Sequence, residues 1–379
     1  MKFVIAPDSF KGSLSAQEVA DSLEQGIKKV FGEATVVKVP MADGGEGTVQ
    51  SLVDGTSGEI IKVKVKDPLM REIDSFYGIL GDGKTAVIEM AAASGLPLLS
   101  KEERNPIIAT TYGTGELIKH ALSRGCRNII IGIGGSATND GGAGMVQALG
   151  VRLTDENGKE LSFGGGELHK LHKIDISGID FRIRECTITV ACDVDNPLCG
   201  PKGAAYVFGS QKGADKKTIE ILDKNLINYA KVIKNDLNID ILDVPGAGAA
   251  GGLGGALIAF LNAKLKRGID IVIDATGLED KIKDADLVIT GEGMIDFQTA
   301  FGKTPFGVAK VAKKYGIPVI AIAGGIGREA ETLYEKGFDS IFSIVEGPIS
   351  LEEAMANGKP LLKKASERIM RLLKISILK

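Results

Sequence analysis

Residues 129–142 read IIIGIGGSATNDGG and join an apolar run to a polar loop rich in glycine. The apolar run predicts a strand buried on both faces, and the residues after Gly142 have the pattern of a helix. Glycine pairs let the backbone approach a ligand closely, and a loop that enters a helix N-terminus presents N–H groups to an anion. We therefore predict an α/β fold in which this loop binds an anion, with a tight turn carrying polar side chains as the alternative. The candidate ligand-binding residues of the loop are Gly134, Gly135, Ser136, Thr138, Asn139 and Asp140.

Both ends of the chain have the pattern of βαβ units. The first forty residues contain strands at 2–6 and 35–39 around a helix that starts at the capping signature Ser15–Glu18. The last hundred residues continue this pattern, and 361–373 predicts an amphipathic packing helix. Between the ends, 59–93 contains alternating stretches at 62–66 and 85–89 separated by Gly81-Asp82-Gly83, which is typical of a β-hairpin.

This organisation predicts two α/β domains. The first is a Rossmann-like, doubly wound parallel sheet built from 1–58 and 268–379, and the second is an α/β domain inserted at 59–267. Polar residues from both proposed domains are expected to meet in an active site in the cleft between them.

Composition limits the classes of function. The 379 residues are 44% hydrophobic and 25% charged, with a formal net charge of −3, so the electrostatic footprint of a nucleic-acid-binding protein is lacking. The apolar start is too short for a signal peptide, and no run of apolar residues is long enough for a membrane span. We expect a cytoplasmic protein without a nucleic-acid or membrane partner. The four cysteines and three histidines do not form a zinc pattern, so carboxylates or lysines must perform any acid–base chemistry.

Further polar clusters follow predicted strands or open predicted helices. Open α/β sheets bind ligands at the carboxyl ends of their strands, so these clusters are candidate binding residues, with solvated turn residues as the alternative. Lys11 is placed to meet phosphate oxygens, the pair Asp43 and Glu46 suits Mg²⁺ held with substrate phosphates, and Asp193 is a candidate general base. The other candidates in these clusters are Asp8, Ser9, Thr114, Thr290, Glu292, Asp296 and Lys303.

Two apparent nucleotide motifs are weak. Gly302-Lys303-Thr304 resembles the end of a P-loop, but the required earlier glycine is replaced by Phe297. Residues 246–251, GAGAAG, match a dinucleotide fingerprint but follow Pro245 and a weak strand, so a helix start packed in a glycine-rich corner explains them equally well. Acids, lysines and glycine loops at strand ends favour phosphoryl transfer, which depends on positioning and charge neutralisation.

The polar clusters, in this order, resemble those of the type-1 family of bacterial glycerate kinases. The resemblance covers essentially the whole chain, and its most specific parts are the opening segment and the loop at 134–142. The segments that carry it are 6–13, 40–48, 89–96, 112–116, 134–142, 192–198 and 290–293.

The resemblance implies a kinase that uses ATP and Mg²⁺ to phosphorylate D-glycerate, with 2-phosphoglycerate favoured over 3-phosphoglycerate, in glycerate, glyoxylate or sugar-acid catabolism. Such an enzyme would be a monomer or homodimer. We assign Asp193 as the base that takes the glycerate hydroxyl proton and Lys11 as the group that neutralises the transferring phosphoryl. Asp43 and Glu46 would hold Mg²⁺, with Glu292 and Asp296 as second candidates for base or ligand.

Two other functions stay open on the sequence. The first is an NAD-dependent hydroxy-acid dehydrogenase, a hypothesis that depends on the match of residues 246–251 to the dinucleotide fingerprint. A non-enzymatic, two-lobed sensor of sugar acids would normally carry a DNA-binding or signalling module, and neither chain end shows a basic helical pair.

Overall fold

The computed structural model describes residues 1–45 and 47–377 and shows an α/β fold, as the sequence predicts. The strands are β1 (Lys2–Ile5), β2 (Thr35–Lys38), β3 (Glu59–Lys66), β4 (Glu72–Ile79), β5 (Thr85–Glu89), β6 (Asn128–Gly132), β7 (Arg152–Thr154), β8 (Lys173–Asp175), β9 (Thr187–Ala191), β10 (Lys264–Lys266), β11 (Leu287–Thr290), β12 (Met294–Ile295), β13 (Val319–Ala323), β14 (Gly325–Ile326) and β15 (Ser340–Ser343). The helices are α1 (Ala16–Val30), α2 (Thr48–Thr56), α3 (Ala91–Ser94), α4 (Tyr112–Ser123), α5 (Ala143–Ala148), α6 (Ala204–Phe208), α7 (Lys216–Leu237), α8 (Leu253–Leu261), α9 (Gly268–Thr276), α10 (Leu278–Ile282), α11 (Thr304–Lys314), α12 (Leu351–Ala356) and α13 (Gly358–Ile377).

The chain forms two compact units. Unit 1 consists of Met1–Asp43, Gln50–Ser57 and the chain from Ile269 onward, and unit 2 consists of Gly44–Val49 and Gly58–Gly268. This division assigns Gly44–Val49 to unit 2, whereas the sequence pattern places that segment in the domain formed by the chain ends. The difference is explained by close packing at Gly44. Its backbone lies so near Ala191 and Gly268 of unit 2 that a Cβ atom there would collide with both.

Unit 1 is built on a parallel five-stranded sheet in the order β15-β13-β11-β1-β2. Counted along the chain this is the doubly wound order 2-1-3-4-5, which reverses direction between β1 and β11. Phe3 and Ile5 of β1 lie in one core with Leu287 of β11 and with apolar residues of α1 and α13. Alternate residues of a strand face opposite sides, so Val4 faces away from that core and is also fully buried.

Helix α1 forms where the capping signature predicts it. The Ser15 hydroxyl accepts a hydrogen bond from the Glu18 N–H at 3.2 Å, and the Glu18 carboxylate accepts one from the Ser15 N–H at 3.0 Å. The apolar face of α1 packs against α13, which confirms the predicted packing helix. The two helices approach closely at Gly26, where the Ser366 hydroxyl donates to the Leu23 carbonyl at 2.8 Å.

Unit 2 is built on a mixed sheet in the order β10-β9-β6-β5-β4-β3. The first four of these strands are parallel to one another, whereas β4 pairs antiparallel with β5 and β3 pairs antiparallel with β4. The predicted turn is confirmed at Gly81-Asp82-Gly83, where the Asp82 carboxylate accepts hydrogen bonds from the N–H groups of Lys84 and Thr85. The strand before this turn is β4, which the sequence pattern does not single out, so the stretch 62–66 pairs with β4 and not with 85–89. The sheet places β6 at its centre, so that the loop 134–142 leaves a strand buried on both faces.

In the described part of the chain, no helix has both the length and the apolar character that a membrane crossing requires.

Close packing at Gly26 gives a test of the α1–α13 interface. A Cβ atom at Gly26 would lie 2.5 Å from the Ser366 Cβ, so we expect Gly26→Ala to lower the free energy of unfolding by about 1–3 kcal/mol. Gly32→Ala is the matched control, because a Cβ there meets only the Lys28 carbonyl oxygen, at 3.8 Å. Thermal unfolding followed by circular dichroism compares the two variants. Equal stability of both would contradict the packing described for Gly26.

Candidate functional site

The polar clusters of unit 1 meet where the strand order of its sheet reverses. Asp8 follows β1, Asp43 follows β2 and Glu292 follows β11, and all three line one cavity of about 570 Å³ together with Lys11 and Lys303. Doubly wound sheets bind ligands at this position, outside the carboxyl ends of the strands. Ser9 lines the same cavity.

Asp8 is held tightly at this cavity. Its carboxylate accepts hydrogen bonds from the Ser9 N–H and from the Thr304 hydroxyl, both at 2.6 Å. Burial raises the pKa of Asp8 to about 6, with the nearby carboxylates of Asp43 and Glu292 adding to the increase and the Thr304 hydrogen bond opposing it. A cation in the cavity would relieve this cost, since it favours the charged form of each carboxylate.

Glu292 and Lys303 form an ion pair at the edge of the cavity, with 3.2 Å between the Lys303 Nζ and the Glu292 Oε2. The Thr299 hydroxyl donates to the other carboxylate oxygen at 2.6 Å. Burial nevertheless raises the pKa of Glu292. This arrangement leaves Glu292 and Lys303 as wall residues of the cavity that a ligand can reach.

Two other predicted residues of unit 1 have local structural contacts. Thr290 is fully buried, and its hydroxyl donates to the Ala6 carbonyl at 2.8 Å, which ties β11 to β1. Asp296 caps the short helical turn Phe297–Ala300 by accepting from the Gln298 N–H at 2.9 Å. Neither residue lines the cavity.

Much of the cavity lining is apolar, which the sequence pattern does not indicate. The Ser13 hydroxyl donates to the Met355 carbonyl at 2.6 Å and so fixes α12 beside the cavity. Leu351 of α12 is 74% exposed although it lines the cavity. The apolar lining residues include Phe10, Ile344, Val345, Ile349, Leu351, Ala354 and Met355.

The predicted metal ligands are only partly described. Asp43 lies on the cavity, and Glu46 lies outside the described residues. Within residues 1–45 and 47–377, no group of three or more His, Cys, Asp and Glu side chains forms a metal site. Asp8 and Asp43 are neighbouring carboxylates, and Mg²⁺ is commonly held by one or two carboxylates together with substrate phosphates and water. This donor set therefore fits Mg²⁺ bound with a phosphate ligand.

In unit 2, the loop after β6 is exposed at its start and buried beyond it. Gly134 and Gly135 are exposed, whereas Thr138, Asn139 and Asp140 are completely buried. The start of the loop is fixed to a neighbouring segment, because the Gly135 carbonyl accepts from the Leu96 N–H and the Ala137 N–H donates to the Ser94 carbonyl, both at 2.9 Å. Of the predicted binding residues in this loop, the two glycines therefore have exposed surface, and Ser136 beside them keeps 6% of its surface exposed.

Asp140 stabilises the interior of unit 2. Its carboxylate accepts hydrogen bonds from the N–H groups of Thr111, Gly142 and Gly144 at 2.8, 3.1 and 3.2 Å. The Thr111 and Thr110 hydroxyls also donate to it, at 2.9 and 3.3 Å. Burial raises its pKa, and these hydrogen bonds oppose the increase. We therefore interpret Asp140 as the group that joins the start of α4 to the start of α5.

Lys212 is a functional candidate that the sequence patterns do not reveal. Its side chain is almost completely buried, and its Nζ donates to the Ser136 hydroxyl at 2.7 Å and to the Thr138 carbonyl at 2.6 Å. Burial lowers the pKa of Lys212 to about 7, although Asp140 opposes this. The only feature of the sequence that could draw attention to Lys212 is its place in the glycine-flanked segment Gly209-Ser210-Gln211-Lys212-Gly213. That pattern does not indicate a contact with the loop 134–142.

The two remaining candidates of unit 2 differ in exposure. Thr114 is buried at the start of α4, with its hydroxyl 2.8 Å from that of Ser94. Asp193 is exposed just after β9, and its carboxylate accepts from the Gly268 N–H at 3.0 Å. Asp193 is therefore accessible to a substrate, as a general base must be.

The glycine run at 246–255 packs against backbone. A Cβ atom at any of three of these glycines would collide with a backbone carbonyl oxygen. The distances would be 2.1 Å from Gly248 to the Pro197 oxygen, 2.0 Å from Gly251 to the Thr138 oxygen and 2.2 Å from Gly254 to the Gly246 oxygen. These glycines are required for close packing, which is the simpler of the two explanations given by the sequence. The run therefore gives no structural support to a dinucleotide site.

Comparison with known proteins agrees with the sequence resemblance. Residues 3–374 match the model of the glycerate kinase family. The chain is 55% identical over 376 residues to a glycerate kinase of Bacillus subtilis (strain 168), covering 99% of this chain and 98% of the relative. It is also 55% identical over 377 residues to a glycerate 2-kinase of Escherichia coli (strain K12), covering 100% of this chain and 99% of the relative.

A solved structure is similar over the same length. The crystal structure of a candidate glycerate kinase 2 from Salmonella typhimurium LT2 matches with a TM-score of 0.93 and 52% sequence identity, and the match covers 100% of both chains.

The raised pKa of Asp8 gives a prediction about stability. Between pH 4 and about pH 6 the folded state binds more protons than the unfolded state, so charging Asp8 costs stability as the pH rises through this window. We expect Asp8→Asn to raise the free energy of unfolding at pH 7.5 by about 1–3 kcal/mol and to have little effect near pH 4. Denaturant unfolding at both pH values measures this. Destabilisation at pH 7.5, with the fold retained, would show that Asp8 is needed for stability in its charged form.

Proposed function

Because the chain belongs to the glycerate kinase family, we propose that it transfers the γ-phosphoryl group of ATP to the 2-hydroxyl of D-glycerate, forming 2-phosphoglycerate. The choice of the 2-hydroxyl is supported by the Escherichia coli relative, which is named a glycerate 2-kinase. We further propose that the enzyme acts in the cytoplasm, as a monomer or homodimer, in glycerate, glyoxylate or sugar-acid catabolism.

The cavity of unit 1 is the proposed binding site for ATP, and its mixed lining carries this assignment. The lining includes the apolar side chains of Ile349, Leu351 and Met355 as well as the lysines Lys11 and Lys303. A nucleotide has an apolar purine face at one end and phosphates at the other, so it can use both kinds of lining. D-Glycerate carries a carboxylate and two hydroxyls on three carbons and has little apolar surface to bury.

Asp43, together with Asp8, is proposed to hold Mg²⁺ at this cavity. When bound, the ion would neutralise charge on the nucleotide phosphates. The raised pKa of Asp8 supports the assignment. Burial raises it, the carboxylates of Asp43 and Glu292 add to the increase, and a bound cation would favour the charged form of Asp8. Glu46 keeps its predicted role as a second ligand.

The remaining roles follow from charge and exposure. Lys11 is proposed to neutralise charge on the transferring phosphoryl group, and Asp193 to accept the proton of the glycerate 2-hydroxyl. In that step the glycerate oxygen forms a bond to the γ-phosphorus, the bond from this phosphorus to the bridging oxygen breaks, and ADP leaves. The exposed start of the loop 134–142 is proposed to bind an anionic group of a substrate.

The proposed reaction can be tested on the purified protein. We expect ADP formation that requires both D-glycerate and Mg²⁺, with phosphorus NMR identifying 2-phosphoglycerate as the product. L-Glycerate serves as a stereochemical control, and NAD with D-glycerate tests the dehydrogenase alternative. Thermal stabilisation by D-glycerate without ADP formation would instead support a sensor, and formation of 3-phosphoglycerate would contradict the proposed regiochemistry.

The role of Asp193 predicts a large effect on turnover. Asp193→Asn removes the proton acceptor but keeps the size of the side chain, so we expect kcat to fall by about 10²–10⁴-fold. Asp195→Asn, which changes another exposed carboxylate two residues away, is the matched control and should keep kcat within about twofold. Near-normal turnover of Asp193→Asn would exclude Asp193 as the base.

A further inference from the structure

The ammonium group of Lys212 is buried without a carboxylate in contact. Its side chain is 1% exposed, and its two hydrogen-bond acceptors are the neutral Ser136 hydroxyl and the Thr138 carbonyl. Among the described residues, no carboxylate lies within ion-pair distance of the Lys212 Nζ. Burial of an unpaired charge is costly, so its presence here calls for an explanation other than stability.

The surface next to Lys212 is a turn of exposed backbone. Gly134 and Gly135 are exposed, and Gly135 has φ of +75°, in the left-handed region that favours glycine. Within the described chain, the N–H groups of Gly134, Gly135 and Ser136 have no acceptor. Successive N–H groups in a turn of this kind can form a concave site for an anion.

Ser136 connects the buried charge to this turn. Because its hydroxyl oxygen accepts a hydrogen bond from the Lys212 ammonium, its own proton remains available for another acceptor. The ammonium also holds the Thr138 carbonyl, so that both ends of the segment 136–138 are fixed. Lys212 therefore sets the shape of the turn and places a positive charge beneath it.

We propose that Lys212 is a positioning residue for an oxyanion site formed by the backbone N–H groups of Gly134, Gly135 and Ser136. The oxyanion is the carboxylate of D-glycerate or a phosphate of ATP, and this inference rests on the proposed function. Lys212 acts through Ser136 and through its charge, since its own side chain is buried.

The interior of the loop supports a functional explanation over a purely structural one. The Thr138 hydroxyl and both amide atoms of Asn139 are buried and have no hydrogen-bond partner in the described structure. A segment retained only for stability would be expected to satisfy these groups. Charged and titratable groups near the site include Asp140, whose field favours the charged form of Lys212, and Tyr229, which stays neutral because burial raises its pKa. Arg104 also packs close by, against Gly213, the residue after Lys212.

Lys212→Met tests the proposal, because it removes the charge and keeps an apolar side chain of similar length. We expect the KM for one substrate, D-glycerate or ATP, to rise by about 10- to 100-fold, while the other KM changes by less than about threefold. The substrate affected identifies the oxyanion. Ser136→Ala should raise the same KM, and Lys217→Met, which removes an exposed lysine from the same region, should leave both unchanged.

The pH profile separates this role from a structural one. Since the ammonium loses its proton as the pH rises through about 7, kcat/KM for the affected substrate should decline over this range in the wild type. The decline should be absent from Lys212→Met. Unchanged KM values together with an unchanged pH profile would overturn the proposal.

A second measurement applies even if Lys212→Met does not fold. Calorimetry on the wild-type protein, with D-glycerate and with inorganic phosphate in buffers of different ionisation heat, reports proton uptake on binding. We expect the protein to take up protons near pH 8 when one of these ligands binds, because a bound anion raises the pKa of the lysine. If neither ligand causes proton uptake, the proposal is overturned. If the wild-type protein forms no ADP in the presence of D-glycerate, the proposed function is contradicted. The proposal for Lys212 is then still tested by the calorimetry, which does not depend on turnover.

Discussion

A buried carboxylate determines the shape of the loop on which the site of unit 2 depends. Asp140 accepts hydrogen bonds from Thr110 and Thr111 before α4 and from Gly142 and Gly144 at the start of α5. These bonds offset the cost of burying its charge. With one end of the loop fixed in this way, the exposed turn at Gly134 and Gly135 is held in place for a ligand.

The cavity of unit 1 depends on a different constraint, the reversal of strand order between β1 and β11. Because parallel strands end at the same edge, this reversal brings Asp8, Asp43 and Glu292 to one cavity although they are far apart in the chain. Burial at this cavity raises the pKa of Asp8, the neighbouring carboxylates add to the increase, and the shift costs stability near neutral pH. A site that binds a cation and phosphates explains why such a cost is retained.

Sequence patterns predicted the fold class and the location of many polar residues, but not which of them face a ligand. Strand ends are recognisable from hydrophobic patterns, so the sequence predicts the clusters around Asp8 and Asp193. Thr290 and Asp140 belong to the same kind of cluster, yet they face inward, because a polar side chain at a strand end can satisfy backbone groups as readily as a ligand. The sequence does not identify Lys212, because this residue reaches the loop only through the tertiary fold.

The charge beneath the exposed turn is most directly tested by NMR of protein labelled with ¹³C at the lysine ε carbons, with Lys212→Met used to assign the signal. We expect Lys212 to titrate near pH 7 in the free protein and at a higher pH when D-glycerate or inorganic phosphate is bound. An ordinary lysine titration near pH 10.5 that neither ligand changes would contradict the role given to this charge.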